Sequence, residues 1–185
     1  MASTRELIDL AERARRYEPD ALSELFDMYF ERLRRYLYYK TGDLDRAEDL
    51  ASEALTTGLE KIAKFKDRGG TIGAWLFGIA RNVLARDREY RGRAETVGLE
   101  EELAAPDDAG PEPVVVARLT NEELYRALAR LPEEQREVVL LRFMEGFDSK
   151  ETGRVMGKRP GAVRALQFRA VKALQEIFER RGVES

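Results

Sequence analysis

Arg164, Gln167 and Arg169 lie on a segment whose other positions, Val163, Leu166 and Ala170, recur at helical spacing behind Pro160. Planar hydrogen-bonding side chains of this kind suit the edges of nucleobases. An arginine fork matches guanine, and a glutamine can match adenine. Other chemistry is restricted by what the chain lacks. It contains no Cys, which excludes disulfides and thiolate metal sites, and no His, the residue most used for proton transfer near neutral pH. Carboxylates, Lys, Tyr and Ser/Thr remain, but no set of them is spaced as a converging catalytic site. The expectation is therefore a binding protein with no catalytic residue, no metal site and no cofactor.

Net charge is −3, which by itself selects no partner. The distribution is more telling. Asp43, Asp45, Glu48, Asp49, Glu53 and Glu60 face a single base, Arg46. Between Lys61 and Arg93 the sign reverses, with Lys61, Lys64, Lys66, Arg68, Arg81, Arg86, Arg88, Arg91 and Arg93 in excess. The next stretch, to Glu123, is acidic, and Arg154 to Arg181 is basic again. Two basic zones separated by an acidic one form two footprints for a polyanion, although either alone would suit an ordinary solvated helix face.

The elements that carry these zones are helical throughout, and no alternating stretch marks a strand. Leu7, Leu10, Ala11 and Ala14 form a first stripe. Asp20 is placed to cap a second helix carrying Leu22, Leu25, Phe26, Tyr29, Phe30, Leu33 and Leu37, ending near Thr41-Gly42. A third stripe runs from Ala47 to Ile62, and a fourth carries Trp75, Leu76, Ile79, Ala80, Val83 and Leu84. Residues 94–118 are acidic, hold three prolines, and read as an extended linker. Beyond it Pro132 opens a helix with Val138, Val139, Leu141 and Phe143 on its stripe, ending at Gly146. The expected fold is all-α. A domain over 1–93 and a domain over 119–185 flank the linker. No apolar run reaches the roughly 20 residues of a membrane span. The segment MASTRELIDLAERARR lacks the apolar core of a signal peptide, so a cytoplasmic protein is expected.

Asp148 or Ser149 can cap a short helix, with Glu151 three residues on from Asp148 completing a capping box. Gly157 supplies a turn and Pro160 opens the next helix. A short helix, a glycine turn and a second helix bearing Arg and Gln make a helix-turn-helix.

At this point the chain resembles the extracytoplasmic-function sigma factors of bacterial RNA polymerase. The resemblance rests on Leu25-Phe-Asp-Met-Tyr29 with Ala47-Glu-Asp-Leu-Ala-Ser-Glu53, on Ala74-Trp-Leu-Phe-Gly-Ile-Ala-Arg-Asn-Val-Leu84, and on Leu128-Ala-Arg-Leu-Pro-Glu-Glu-Gln-Arg-Glu-Val-Val-Leu-Leu-Arg-Phe143 followed by the helix-turn-helix. It implies a factor that binds core polymerase, directs it to −35 and −10 promoter elements and helps melt the −10 region.

The resemblance also implies roles for particular residues. Leu33, Asp49, Leu50 and Glu53 would bind core polymerase, on the clamp helices of its largest subunit, while the second domain would meet the flap of the second-largest. Lys64, Arg68, Trp75, Arg81, Asn82, Arg86, Arg88 and Arg91 would meet the opened −10 strand, with 64–71 as the loop receiving a flipped base. Trp75 also suits a plain core position. Lys158, Arg159, Arg164, Ala165, Phe168, Arg169 and Lys172 would face −35 DNA. An anti-sigma factor would be a further partner. The chain departs from the family at Gly153, where alanine is usual and where a mid-helix glycine costs about 1 kcal/mol. Gly58 sits similarly in the third helix, and Ala165-Leu166 replaces a small-polar-then-basic pair. The competing reading, a stand-alone helix-turn-helix regulator, would leave the first domain unexplained.

Overall fold

The computed structural model describes residues 4–66, 71–95 and 121–183. The chain divides into two compact units, Met1–Ala104 and Ala105–Ser185. All but the first two positions of the expected linker lie outside the described residues. Those two belong to the last helix of the first unit.

The first unit holds α1 (Thr4–Arg15), α2 (Pro19–Thr41), α3 (Leu44–Glu60), a 3-10 turn at Ile62–Lys64, and α4 (Ile72–Glu95). Leu25, Leu33 and Leu37 of α2, Leu55 of α3, and Leu76 and Phe77 of α4 are fully buried. Each such side chain contributes about 1.5–3 kcal/mol. Tyr36 meets Phe77 edge-on at 5.2 Å and ties α2 to α4. Small residues let α3 come close. A Cβ added at Gly58 would sit 2.5 Å from Leu76 Cδ2, so this glycine serves helix approach.

Asp20 does not cap α2. The helix begins one residue earlier, at Pro19, whose fixed φ suits a first helical position. Glu18 stands at the cap without a side-chain bond, and its carboxylate instead accepts from Arg13 Nε at 3.1 Å. Asp20 remains in the first turn, where the helix dipole favours an acid.

The second unit holds α5 (Asn121–Ala129), α6 (Glu133–Val139), a π turn at Leu140–Met144, α7 (Ser149–Met156) and α8 (Pro160–Val183). Leu128, Val138, Leu141, Val155, Val163, Leu166 and Ala170 form its core. The helix expected to run to Gly146 with Phe143 inward is interrupted. Glu145 N–H donates five residues back, to Leu140 O, at 3.0 Å. The wider turn shifts the helical phase, and Phe143 is left 57% exposed.

The capping box is complete. Asp148 accepts from the N–H groups of Lys150 and Glu151 at 2.7 Å each, and Glu151 accepts from Asp148 N–H at 2.9 Å. Gly157 takes φ 65°, the left-handed conformation that closes α7. The expected penalty at Gly153 is offset by a packing need: a Cβ there would lie 2.5 Å from Lys158 O, so the turn between the two helices runs too close for alanine without a shift.

The backbone N–H of Glu151, and then that of Lys150, hold the Asp148 carboxyl below its ordinary value. The sign is set by that direction. A lowered folded pKa gives stability that is present above the unfolded pKa of about 3.9 and is lost as pH falls through the folded one. Asp148→Ala is therefore expected to cost about 0.5–2 kcal/mol at neutral pH. Asp148→Asn, which keeps an acceptor, should stay near wild type at neutral pH and lose part of the acid dependence. Thermal unfolding from pH 7 to 3 checks this; an Ala variant as stable as wild type at pH 7 would refute it.

Candidate nucleic-acid interface

On α3 the residues Asp45, Asp49 and Glu53 recur every fourth position and are exposed or half-exposed, with Glu48 beside them. The opposite face, Ala47, Leu50, Ala51, Ala54 and Leu55, is buried. This separates the four residues expected at the polymerase. Asp49 and Glu53 are on the surface. Leu33 is fully buried and Leu50 nearly so, both packed in the helical core, so neither can touch a partner in this structure. They hold α2 and α3 in place beneath the acidic face.

The basic residues of α4 are partly engaged with α2 and α3. Arg46 of α3 grips Asp87 through two nitrogens, one at 2.8 Å, with both side chains largely buried. Arg91 reaches the other oxygen of Asp87 at 3.4 Å. Arg88 donates to Lys40 O at 3.0 Å, near the C-terminus of α2, where a cation suits the dipole. Arg86 pairs with Glu53 at 3.2 Å across the α3–α4 groove, so the acidic and basic faces meet there. Asn82 and Arg86 are exposed one turn apart, while Arg81 is half-buried.

Lys64 is exposed at the end of the 3-10 turn. Arg68 lies outside the described residues. Trp75 is half-buried, its ring 5.4 Å from that of Phe65. The ring therefore serves packing while part of the side chain remains accessible. Sequence reasoning misses the Arg46–Asp87 pair, because nothing local marks two residues 41 apart as partners. It also misses Tyr90, which is 76% exposed on α4.

On α8 the residues Ala165, Phe168, Arg169 and Lys172 recur at spacings of three and four, which places them on one face. Phe168 is 74% exposed. Arg169 Nε lies 3.4 Å from Ala165 O, folded along its own helix. Arg164 is exposed at the margin of that face. Arg159 is exposed just before α8. Lys158 is half-buried and pairs with Glu134 at 2.6 Å, so its charge is already partnered. Gln167 does not join this face. Arg142 donates to it at 2.9 Å, and because arginine can only donate, the partner atom is the amide oxygen. Gln167 thereby fastens α8 to the π turn and is not available as an adenine reader.

Among the described residues no group of acids could hold a metal ion, and no helix is long and apolar enough to cross a membrane. The two units together define a helical protein with separate candidate nucleic-acid faces, one on a long basic helix and one on a helix-turn-helix.

Comparison with known proteins agrees. The family models for Sigma-70 region 2 and for Sigma-70, region 4 match residues 25–94 and 121–174 in that order. The chain is 40% identical over 173 residues to the ECF RNA polymerase sigma factor BldN of Streptomyces coelicolor, covering 93% of this chain and 66% of that one. It is 33% identical over 168 residues to the ECF RNA polymerase sigma factor SigD of Mycobacterium tuberculosis, covering 85% of this chain and 76% of that protein. The solved structure of the sigma factor RpoE in complex with the anti-sigma factor NepR from Bartonella quintana superposes with a TM-score of 0.69 at 25% identity, covering 85% of this chain and 96% of that one. The chain belongs to the ECF RNA polymerase sigma factors. The stand-alone regulator is not favoured, since the first unit has its own match within the same family.

Proposed function

We propose that this chain binds core RNA polymerase, directs it to promoters through −35 and −10 elements, and helps open the −10 region, with no catalysis of its own. The observation that carries the reading is the pairing of two different nucleic-acid faces with region 2 and region 4 matches in chain order. Asp49 and Glu53 supply the charge that meets the clamp helices of the largest polymerase subunit. Lys64, Arg68, Trp75, Arg81, Asn82, Arg86, Arg88 and Arg91 belong to the −10 face. Basic groups beside planar side chains suit a strand whose bases have left the stack.

Arg159, Arg164, Ala165, Phe168, Arg169 and Lys172 belong to the −35 face, with Lys158 turned toward Glu134 until DNA competes for it. The second domain also meets the flap of the second-largest subunit. Since its work is at the polymerase, the protein acts in the cytoplasm. An anti-sigma factor is the expected restraining partner, a reading supported by the relative RpoE, which is bound to one. The domains extend over 1–93 and 119–185, joined by the acidic segment 94–118.

Run-off transcription with core polymerase over a promoter library tests the whole reading. Transcripts should share a −35 and a −10 motif at fixed spacing. Separated fragments should divide the work. Residues 115–185 should bind −35 duplex weakly, with affinity falling steeply as salt rises. Residues 1–95 should prefer the non-template −10 single strand over duplex. If the fragment of residues 1–95 prefers duplex, the melting role is wrong.

A further inference from the structure

We propose that Tyr90 is a base-stacking residue of the −10 face, an inference that rests on the promoter-opening role proposed above. Its side chain is 76% exposed, the most exposed of the large apolar side chains among the described residues. It makes no hydrogen bond, ion pair or ring contact with them. Asn82, Arg86 and Tyr90 succeed one another at four-residue spacing and are all exposed, so they form one stripe along α4. Arg86, Arg88 and Arg91 stand around it with Asp87 and Glu89; Arg86 is paired with Glu53 and Arg91 with Asp87 across exposed contacts that a phosphate backbone can displace. A lone aromatic on a solvated, arginine-bearing helix face costs apolar exposure and packs nothing. A face that combines such a ring with cations and a base-reading amide fits a polyanion with flat apolar surfaces, which is single-stranded DNA.

Distance sets which base it meets. Eight residues of α-helix advance about 12 Å. Stacked nucleotides advance about 3.4 Å each along a strand. Tyr90 therefore engages a base about three to four nucleotides from the one at Asn82, and fewer where the strand is stretched. The ring therefore holds a part of the opened strand separate from the base at Asn82. Because every base has a π face, the contact stabilises the open strand with little sequence preference.

The test uses the full chain bound to core polymerase and a labelled non-template oligonucleotide covering the −10 element of a promoter the holoenzyme transcribes. A matching series carries one abasic site at each position. Tyr90→Ala is expected to weaken binding about tenfold, toward the lower end of the range for one aromatic–base stack. Tyr90→Phe should stay within about twofold of wild type, since the ring is kept. One abasic position, within about four nucleotides of the position sensitive to Asn82→Ala, should weaken wild type and leave Tyr90→Ala unchanged.

Unchanged affinity in Tyr90→Ala, with Asn82→Ala weakened, overturns the stacking proposal alone. If neither variant changes affinity, the −10 assignment of the helix fails with it. Equal losses in Tyr90→Phe and Tyr90→Ala would assign the effect to the hydroxyl and overturn stacking. A loss of core affinity without DNA would make Tyr90 a polymerase contact and overturn it also.

Discussion

Reversing Asp49 and Glu53 together to arginine is expected to weaken holoenzyme formation by on the order of a hundredfold, since like charges placed across an interface cost several kcal/mol. Both side chains stand on the acidic stripe of α3, while the apolar face beneath them packs the core. The fold should survive, because neither acid is buried. Glu53 has a second role that makes the experiment sharper. Its carboxylate pairs with Arg86, a residue of the proposed −10 face, at 3.2 Å. The pair is exposed, so its contribution to stability is at most about 1 kcal/mol. Its contribution to the electrostatics of the groove is another matter. Removing Glu53 leaves the Arg86 charge fully presented to a phosphate backbone. Glu53→Gln should therefore lower core affinity modestly while leaving affinity for the non-template −10 strand equal or slightly higher. The double reversal should lower core affinity most, with strand binding by the free protein retained. Titration of labelled core polymerase and of a labelled oligonucleotide separates the two. Native-like core affinity in the double variant would remove α3 from the polymerase interface.

The features legible in the sequence are mostly local. The capping box at Asp148 and Glu151, the turn at Gly157 and the start at Pro160 are short-range codes, and together they make the helix-turn-helix. The all-α architecture is legible from apolar spacing. The misreadings share a cause in contacts distant along the chain or in a change of helical pitch. A continuous 3.6-residue period places Phe143 inward, and one π turn rotates it out. Gly153 has the look of a helix defect, because the carbonyl of Lys158 that excludes a side chain there comes from the turn after the helix. Gln167 is free to read a base by spacing alone, but Arg142, 25 residues away, holds its amide oxygen. Resemblance assigns Leu33 and Leu50 to an interface, yet their own apolar spacing marks them as core. Resemblance picks out Asn82 and Arg86 but not Tyr90, which falls one further turn along the same exposed stripe.

The second large effect expected is at Arg164, and the geometry of α8 decides its form. Ala165, Phe168, Arg169 and Lys172 share the central face. Arg164 precedes Ala165 and so points about 100° away from it around the helix. That places Arg164 at the flank, near the start of the helix, where the N-terminal residues of a docked recognition helix meet base edges. Among the described residues its side chain makes no hydrogen bond or ion pair, so its five donors are available at no cost in lost internal contacts. A bidentate contact to guanine is worth about 1–3 kcal/mol of discrimination. Arg164→Ala should therefore weaken −35 binding by that amount and relax the preference at one position of the element. Lys172 lies two turns further on, where a helix leaving the groove meets phosphate. Lys172→Ala should weaken all sequences about equally and lower the salt slope by roughly one unit. Both variants should bind core polymerase through the first unit, and the −10 strand, as wild type does, since the surfaces proposed for those contacts lie on α3 and α4. Binding isotherms against single-base −35 variants at several salt concentrations distinguish the two patterns. A uniform loss in Arg164→Ala, with base preference untouched, would make Arg164 a phosphate contact. Base reading would then fall to Arg169 and Phe168 at the centre of the face, and Arg169 would have to release Ala165 O to reach the groove.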